Sequence, residues 1–230
     1  MLHKTRGIVI NYIRYRETSI IVKIYTEEFG IQTYIENGVR SANARSKNKI
    51  ALFQPLTLLD LVVYHRDNGS IMRISEIKCN TPFQTLPYQF VKTGIALFIT
   101  EVLSKTMKEE SGNPEMFFFL YHSILFLDVQ PEGYENFPIQ FLLKLSQYLG
   151  FAPGQARELM EQIGEIRLTE STEAESAALD ALICRNYNEH VRIPGVVRRN
   201  LLEHVLRFYQ LHVENFNELR SLPVLQEMML

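Results

Sequence analysis

The chain has little of what disulfide-linked, redox or membrane-spanning proteins need. Its 230 residues include no tryptophan and two cysteines, Cys79 and Cys184, which stand far apart and form no metal or redox motif. The longest strongly apolar stretch, residues 117–127, is shorter than the roughly 20 residues that cross a bilayer. The amino terminus has no apolar signal-peptide core. These absences predict a cytoplasmic protein with reduced cysteines and no membrane segment.

Motifs of enzymatic chemistry are missing as well. The sequence contains no glycine loop of the kinds that hold nucleotide phosphates, and no Gly-x-Ser-x-Gly turn of the serine hydrolases. The histidines are scattered: His204 and His212, which share a predicted helix, lie two turns apart and cannot chelate one ion on their own. Paired carboxylates such as Glu27 and Glu28 fall at turns. The sequence therefore predicts that the protein is not an enzyme and needs no metal or cofactor.

Charge is divided unevenly along the chain. The formal net charge is −2, yet residues 1–78 carry 12 Lys and Arg against 7 Asp and Glu, whereas residues 79–230 carry 12 against 19. A basic part joined to an acidic part indicates one end that binds a polyanion and one that has other tasks. Hydrophobic residues make up 46% of the chain, which is enough for a packed core.

Residues 7–78 show the alternation of β-strands. Apolar side chains occupy every second position of residues 19–26, and the pattern resumes over residues 31–36 after Phe29 and Gly30, which predicts a hairpin. Further strands are predicted at residues 7–15, 56–65 and 71–78. Five short strands in so few residues fit a small barrel, for which an OB-fold is the leading candidate. An SH3-like barrel or a small sandwich satisfies the same pattern.

Helical periodicity replaces strand alternation after a linker at residues 80–86. Apolar residues recur at helical spacing over residues 88–107, and Asn113-Pro114-Glu115 is a typical helix start. Further helices are predicted at residues 117–127, 136–149, 154–164, 173–188 and 195–214. The predicted architecture is a multi-domain, β-then-α chain. An N-terminal OB-fold barrel occupies residues 1–80, and an all-helical C-terminal domain occupies residues 81–230.

A run of small polar residues and cations lies between two predicted barrel strands. It contains Arg40, Arg45, Lys47 and Lys49 and no acidic residue. Such a basic loop can neutralise phosphates and follow a single strand, and OB-folds commonly bind their ligands at loops between strands. We predict that these four cations contact DNA. A solvated loop without a ligand is the alternative.

The end of the first strand combines cations with aromatic rings. Arg14 and Arg16 stand beside Tyr12 and Tyr15, and a cation with a ring is what backbone tracking plus base stacking requires. Arg14 and Arg16 are therefore predicted to contact DNA. Packing of each ring into the core is the alternative.

Two tyrosines of the next strands carry a similar prediction. Tyr25 and Tyr34 fall on the strand faces that carry Lys23 and Gln32, which makes both rings candidates for exposed positions, with packing into the core as the alternative for each. Lys23 and Tyr34 are taken as DNA-contact candidates on that basis.

A smaller cationic cluster lies in the helical part of the chain. Arg192, Arg198 and Arg199 surround Pro194 at a predicted helix start. Arg198 and Arg199 are further DNA-contact candidates, with an ordinary charged surface as the alternative.

Several short motifs are informative through their order. They are Gly7-Ile8-Val9, Tyr15-Arg16-Glu17-Thr18-Ser19, Tyr25-Thr26-Glu27-Glu28-Phe29-Gly30, Gly38-Val39-Arg40-Ser41, Phe53-Gln54-Pro55-Leu56 and Leu149-Gly150-Phe151-Ala152-Pro153. Together they resemble the bacterial RecO family of DNA-repair proteins, most strongly over residues 1–80.

The resemblance implies an N-terminal OB-fold, a C-terminal helical domain and a recombination mediator. Proteins similar to RecO bind single- and double-stranded DNA, anneal complementary strands, engage the single-stranded DNA-binding protein SSB and, with RecR, help to load RecA; RecF is a further candidate partner. The basic loop and the arginines at the end of the first strand then become the DNA-contact candidates. The rival interpretations are an OB-fold protein-interaction module without direct DNA binding, and a metal-dependent nuclease.

One departure from the family concerns zinc. Many relatives carry a four-cysteine zinc module just after the Gly-Phe-Ala-Pro stretch, whereas residues 154–157 of this chain contain no cysteine. A tetrahedral structural zinc needs four ligands. We therefore predict no zinc, and we expect apolar packing alone to hold the helices of residues 154–190.

Overall fold

The computed structural model describes residues 1–41, 49–66, 71–107, 111–164 and 170–228. The strands are β1 (Leu2–Tyr15), β2 (Ser19–Thr26), β3 (Gly30–Glu36), β4 (Leu58–Tyr64) and β5 (Met72–Cys79). The helices are α1 (Phe90–Thr106), α2 (Pro114–Val129), α3 (Phe137–Tyr148), α4 (Ala156–Gln162), α5 (Glu170–Cys184), α6 (Gly195–His212) and α7 (Leu222–Met228). The predicted order of strands followed by helices is confirmed.

The five strands close into a barrel in the order β1-β2-β3-β5-β4. β1 is long enough to pair with β2 on one side and with β4 on the other, both antiparallel. The barrel closes through a short parallel contact between β3 and β5, in which Tyr34 pairs with Met72 and Ile35 pairs with Arg73. Closure removes the exposed sheet edges that five short strands would otherwise present. The predicted OB-type barrel is confirmed.

Gly7 of β1 lies where two core side chains leave no room for a Cβ atom. A Cβ atom at this position would lie 2.6 Å from Ile24 Cγ2 and 2.7 Å from Leu61 Cδ1, both inside the barrel. Any larger residue would force these two core side chains apart, so the lack of a side chain at Gly7 lets the barrel close tightly.

Burial in the barrel core confirms which face of β2 points inward. On β3 it shows that the face of Tyr34, expected to be exposed, points inward instead. Ile20, Val22 and Ile24 are fully buried, as their alternation indicates. Tyr34 is fully buried too, because it pairs directly with Val22 and directly paired residues point to the same side of a sheet. The prediction that Tyr34 is an exposed ring is therefore wrong, and it is not available for stacking on a base.

Tyr25 is the second ring that was expected on the surface. Its exposed fraction is 2%, and its ring stacks on Phe117 with the centroids 6.3 Å apart. The prediction of an exposed Tyr25 is wrong because a helix-borne aromatic residue covers this outward face of β2.

The chain divides into two compact units. One comprises Met1–Tyr88 with Ile99–Leu125, and the other comprises Gln89–Phe98 with Phe126–Leu230. The domain boundary between residues 80 and 81 stays a prediction. Within the described residues, no helix is both long enough and apolar enough to cross a membrane.

The second unit is held by aromatic side chains and a few buried polar bonds. Tyr209 of α6 is buried and donates a hydrogen bond to the carbonyl of Leu142 in α3 at 2.7 Å. Lys92 is fully buried and donates to the backbone carbonyl of Asp128 at 2.8 Å, and its burial lowers the pKa of the ammonium group. Its charge lies over the ring of Tyr134, 5.2 Å from the centroid.

The helices after residue 154 use polar bonds as well as apolar packing. The backbone N–H of Ala156 donates to the Asp180 carboxylate at 2.6 Å, and the Asn200 amide donates to Glu175 at 2.8 Å. Both contacts join residues more than twenty positions apart. The expectation that apolar packing alone holds this region is therefore wrong.

Candidate nucleic-acid interface

The structure brings two separate basic segments together at one end of the barrel. Arg16 lies in the turn between β1 and β2, and Arg40 follows β3. The Arg40 guanidinium donates to the carbonyl of Arg16 at 3.2 Å, and the Arg40 backbone N–H donates to the carbonyl of Thr18 at 3.0 Å. Arg14 stands two residues earlier, at the end of β1, and is exposed. We call Arg14, Arg16 and Arg40 the cationic corner.

The backbone of Arg16 is held in an uncommon conformation. Its φ angle is 51°, in the left-handed region that residues other than glycine seldom adopt. The turn is tied down by the two hydrogen bonds from Arg40. This conformation leaves the Arg16 side chain exposed, with its guanidinium 5.2 Å from the centroid of the Tyr15 ring.

The tyrosines at the end of β1 differ in role. Tyr15 is half-buried and lies against Arg16, so one cation and one ring are paired as the sequence predicts. Tyr12 packs against the barrel core, because a register shift between Val9 and Asn11 places it opposite Val22. For Tyr12, the alternative that the ring packs into the core is therefore the correct one.

Lys23 adds a charge on the outer face of the barrel. It is exposed and pairs with Asn11 on β1 and Thr33 on β3. In OB-folds, the outer face of the second and third strands and the loops beside it bind oligonucleotides. Lys23 and Arg16 therefore belong to the part of the barrel that this fold uses for ligands.

Arg73 is a cation of the barrel that the sequence did not single out as a DNA-contact candidate. It is exposed on β5 and pairs with Ile35 across the parallel contact that closes the barrel. The alternation of residues 71–78 could have placed it on the outer face. Its position next to β3 could not be read locally, because the parallel pairing joins residues that are distant along the chain.

Of the remaining cations of the predicted basic loop, only one lies within the described residues. Lys49 forms an ion pair with Glu36, with 2.5 Å between Nζ and Oε1, and Glu36 is nearly buried. This pair neutralises Lys49, which makes it a weak candidate for phosphate contact. Arg45 and Lys47 lie outside the described residues.

Arg198 and Arg199 are the fourth and fifth residues of α6, in the helical unit. Both are half-buried, and Arg198 Nη1 donates to the carbonyl of Ile193 at 3.4 Å. Arg192 is exposed just before the helix. The structure thus gathers the three arginines around the start of α6, as the sequence predicts.

Arg6 is a cation of the barrel with a structural task. Its guanidinium forms two hydrogen bonds of 2.8 Å to the Glu27 carboxylate and lies 5.1–5.3 Å from the ring centroids of Phe117, Phe118 and Tyr121. The bidentate bond raises the pKa of Arg6 and lowers the pKa of Glu27. Because it is paired and surrounded by rings, Arg6 is not part of the candidate interface.

Metal ligands do not converge in the part of the chain that the structure describes. No group of three His, Cys, Asp or Glu side chains in it could hold an ion, and Cys79 and Cys184 are free thiols. Burial is the main cause that raises the pKa of the Cys79 thiol, which disfavours its reactive thiolate form.

Comparison with known proteins agrees with this order of domains. The family model "Recombination protein O N terminal" matches residues 1–83, and the model "Recombination protein O C terminal" matches residues 87–159. A barrel followed by helices with these two matches defines a DNA-repair protein of the recombination class.

Individual relatives identify the family. The DNA repair protein RecO of Bacteroides fragilis is 35% identical over an alignment of 243 positions, which spans 99% of this chain and 99% of the relative. The DNA repair protein RecO of Flavobacterium johnsoniae is 33% identical over an alignment of 233 positions, which spans 97% of this chain and 98% of the relative. The chain belongs to the RecO family.

Proposed function

We propose that this protein is a recombination mediator that binds single- and double-stranded DNA and anneals complementary strands. With RecR, it helps to load RecA onto single-stranded DNA coated with SSB, and RecF is a further partner. It works in the cytoplasm, at the nucleoid, and performs no covalent chemistry. The observation that carries the DNA-binding part is the cationic corner at the turn between β1 and β2, one of the loops that OB-folds use for oligonucleotides, together with the exposed Lys23 on the outer face of β2.

The arrangement of charge suits a nucleic-acid backbone. Arg14, Arg16 and Lys23 are exposed, whereas Lys49 and Arg6 are paired with carboxylates. Exposed cations bind phosphates by releasing condensed counterions, and this gain falls as the salt concentration rises. Two strands held near such a surface repel each other less, while their bases remain free to pair.

The outer face beside these cations is apolar enough to hold bases or a partner. Ile13 is 60% exposed and pairs with Ile21, which in turn pairs with Ile35 on β3. This row favours a second candidate function, a protein-interaction module. Binding that is insensitive to salt and independent of DNA would distinguish that module from the mediator.

The test is fluorescence anisotropy with a labelled single-stranded oligonucleotide over a series of salt concentrations. We compare the natural protein with the triple variant Arg14→Gln, Arg16→Gln, Lys23→Gln. Because each phosphate contact on a single strand contributes about 0.7 to the slope of log affinity against log salt, loss of three contacts should reduce the slope by about 2. At low salt we expect affinity to fall at least tenfold.

The matched control removes the same amount of charge elsewhere. Lys4→Gln, Arg66→Gln and Arg185→Gln replace three exposed cations that lie outside the candidate interface. This control should bind DNA within about threefold of the natural protein, since it keeps the contacts to phosphate. Equal losses in both variants would contradict the interface, and no binding by the natural protein at low salt would favour the interaction module.

A further inference from the structure

The turn between β1 and β2 is short, and its first residue has a strained backbone. Tyr15 pairs with Ser19, so only Arg16, Glu17 and Thr18 connect the two strands. The φ angle of 51° at Arg16 brings its Cβ atom close to the following carbonyl oxygen, which destabilises the left-handed region for any residue with a side chain. Such a conformation persists only where surrounding contacts hold it. The contacts that hold this turn therefore decide how Arg16 is presented to a ligand.

Two of these contacts come from Arg40, which lies 24 positions further along the chain than Arg16. Its Nη1 donates to the Arg16 carbonyl at 3.2 Å, and its backbone N–H donates to the Thr18 carbonyl at 3.0 Å. The first bond fixes the carbonyl of the strained residue, and the second fixes the last residue before β2. Arg40 thus holds both ends of the three-residue turn.

Arg40 can hold the turn because its own segment is anchored in the barrel. The preceding residue, Val39, is 1% exposed and belongs to the barrel core. Gly38 has a φ angle of 72°, which a residue without a Cβ atom adopts freely and which lets the chain bend between β3 and Val39. Ser19 Oγ donates to Asn37 Oδ1 at 2.8 Å, which ties the same segment to the first residue of β2. This segment and the turn therefore form one hydrogen-bonded unit.

The two arginines of this unit are placed differently. Arg16 is exposed, and its guanidinium lies 5.2 Å from the centroid of the Tyr15 ring. Arg40 is half-buried, and both its guanidinium and its backbone N–H donate to carbonyls of the turn. The charge of Arg16 is therefore available to a ligand, whereas Arg40 is directed at the backbone that carries Arg16.

We propose that Arg40 is a positioning residue for DNA binding, which acts through Arg16 and not through a phosphate contact of its own. It holds the turn in the left-handed conformation before DNA arrives, so that less conformational freedom is lost when Arg16 binds a phosphate. This inference rests on the proposed function and deepens it, because it separates the arginine that contacts DNA from the arginine that presents it. The charge of Arg40 predicts a direct contact, whereas its bonds to the turn favour this indirect role.

The first measurement needs no DNA. The Cα and Cβ chemical shifts of residue 16, which report its backbone conformation, are compared by NMR between the isotopically labelled natural chain and the variant Arg40→Gln. We expect them to move away from left-handed values in the variant, because the bond to the Arg16 carbonyl is lost. Arg14→Gln is the matched control, since it removes an exposed arginine at the end of β1 and keeps both bonds from Arg40. Shifts that stay unchanged in Arg40→Gln overturn the inference.

The second measurement is a double-mutant cycle with the labelled single strand over the same series of salt concentrations. Arg16→Gln removes one phosphate contact and should lower the slope of log affinity against log salt by about 0.7. If Arg40 acts through Arg16, the double variant Arg16→Gln, Arg40→Gln should also lose about 0.7, whereas two independent contacts would lose about 1.4. In the background of Arg14→Gln, the change Arg40→Gln should keep its full effect.

The outcomes separate this inference from the proposed function. A loss of about 0.7 in the double variant, together with altered shifts at residue 16, supports Arg40 as a positioning residue. A loss of about 1.4 shows that Arg40 contacts a phosphate by itself, which overturns the inference and leaves the barrel interface standing. Failure of the natural protein to bind DNA at low salt overturns the proposed function and this inference with it. Urea denaturation of each variant checks that its barrel remains folded.

Discussion

Tyr34 has its hydroxyl group in the core of the barrel. The ring is fully buried, pairs across the strands with Val22 and Met72, and its Oη has no hydrogen-bond partner among the described residues. Burial raises the pKa of this phenol well above its ordinary value, so the group stays neutral at every physiological pH. The ring stabilises the core through packing, and the unpaired hydroxyl opposes that effect.

Replacement of Tyr34 by phenylalanine is therefore expected to be harmless or favourable. The variant keeps the ring and removes the unsatisfied hydroxyl, so we expect the free energy of unfolding in urea to stay equal or to rise by about 1 kcal/mol. DNA affinity should not change. Tyr34→Ala is the contrasting variant and should cost about 3–5 kcal/mol through the cavity that it leaves. A clear loss of stability in Tyr34→Phe would show that the hydroxyl has a partner.

Individual cations of the barrel differ in the charge that they can offer to a ligand. Lys49 and Arg6 are each bonded to a carboxylate, whereas Arg16 lies on a turn and contacts a ring. A paired cation must break an existing bond before it can bind a phosphate, and an exposed one has no such cost. The candidate interface therefore rests on fewer residues than the basic sequence contains.

At the level of elements, Arg6 connects β1 with the turn after β2 and with α2. Its two hydrogen bonds reach Glu27 in that turn, and its guanidinium contacts the rings of Phe117, Phe118 and Tyr121 on α2. The Glu27 pKa is lowered because the carboxylate accepts both bonds. The pair thus helps to hold a helix against the barrel.

This ion pair predicts a specific dependence of stability on pH. Since the folded state lowers the Glu27 pKa, the stabilisation is complete above the unfolded value of about 4.3 and disappears as the pH falls through the folded value. Glu27→Gln should lose about 1–2 kcal/mol at neutral pH, the lower part of the range for charged bonds, because both side chains are partly exposed. Its stability should decline less between about pH 5 and pH 3.

Urea denaturation at several pH values measures both effects. Glu28→Gln is the control, because Glu28 is the exposed neighbour in the same turn. The control should keep the acid dependence of the natural protein. If Glu27→Gln and the natural protein lost stability in parallel below pH 5, the ion pair would not contribute through its charge.

Strand β3 shows why an alternating pattern can mislead. Ile31, Thr33 and Ile35 are the more apolar set, yet Tyr34 with its neighbours on the same face points into the barrel. Pairing with β2 decides the face, because Val22 lies inside and Tyr34 is opposite to it. The distribution of apolar residues along one strand carries no information on how that strand pairs with its neighbour.

At the scale of the whole molecule, the unequal charge of the chain bears on annealing. The five strands within the basic residues 1–78 form the barrel, and the exposed cations of the corner lie on its surface. A cationic surface lowers the repulsion between two DNA strands and leaves their bases accessible. Added salt screens the same repulsion without the protein, so the protein's own contribution should fall as salt rises.

Annealing of two complementary oligonucleotides, followed by energy transfer between labels, measures this contribution. We expect the rate enhancement to fall on the order of tenfold between 50 mM and 200 mM salt for three phosphate contacts. The triple variant Arg14→Gln, Arg16→Gln, Lys23→Gln should lose most of the enhancement at low salt, and the matched charge control should keep it. An enhancement indifferent to both changes would rule out the electrostatic account.

The sequence by itself determined the order of strands and helices, the inner face of β2 and membership of the RecO family. Each of these rests on contiguous residues, whose alternation, periodicity or motif order is a local property. The tertiary structure alone decided that Tyr34 is buried, that Lys49 is neutralised by Glu36 and that Arg40 meets Arg16. Those outcomes depend on strand register and barrel closure, which join residues far apart in the chain and leave no mark in a local pattern.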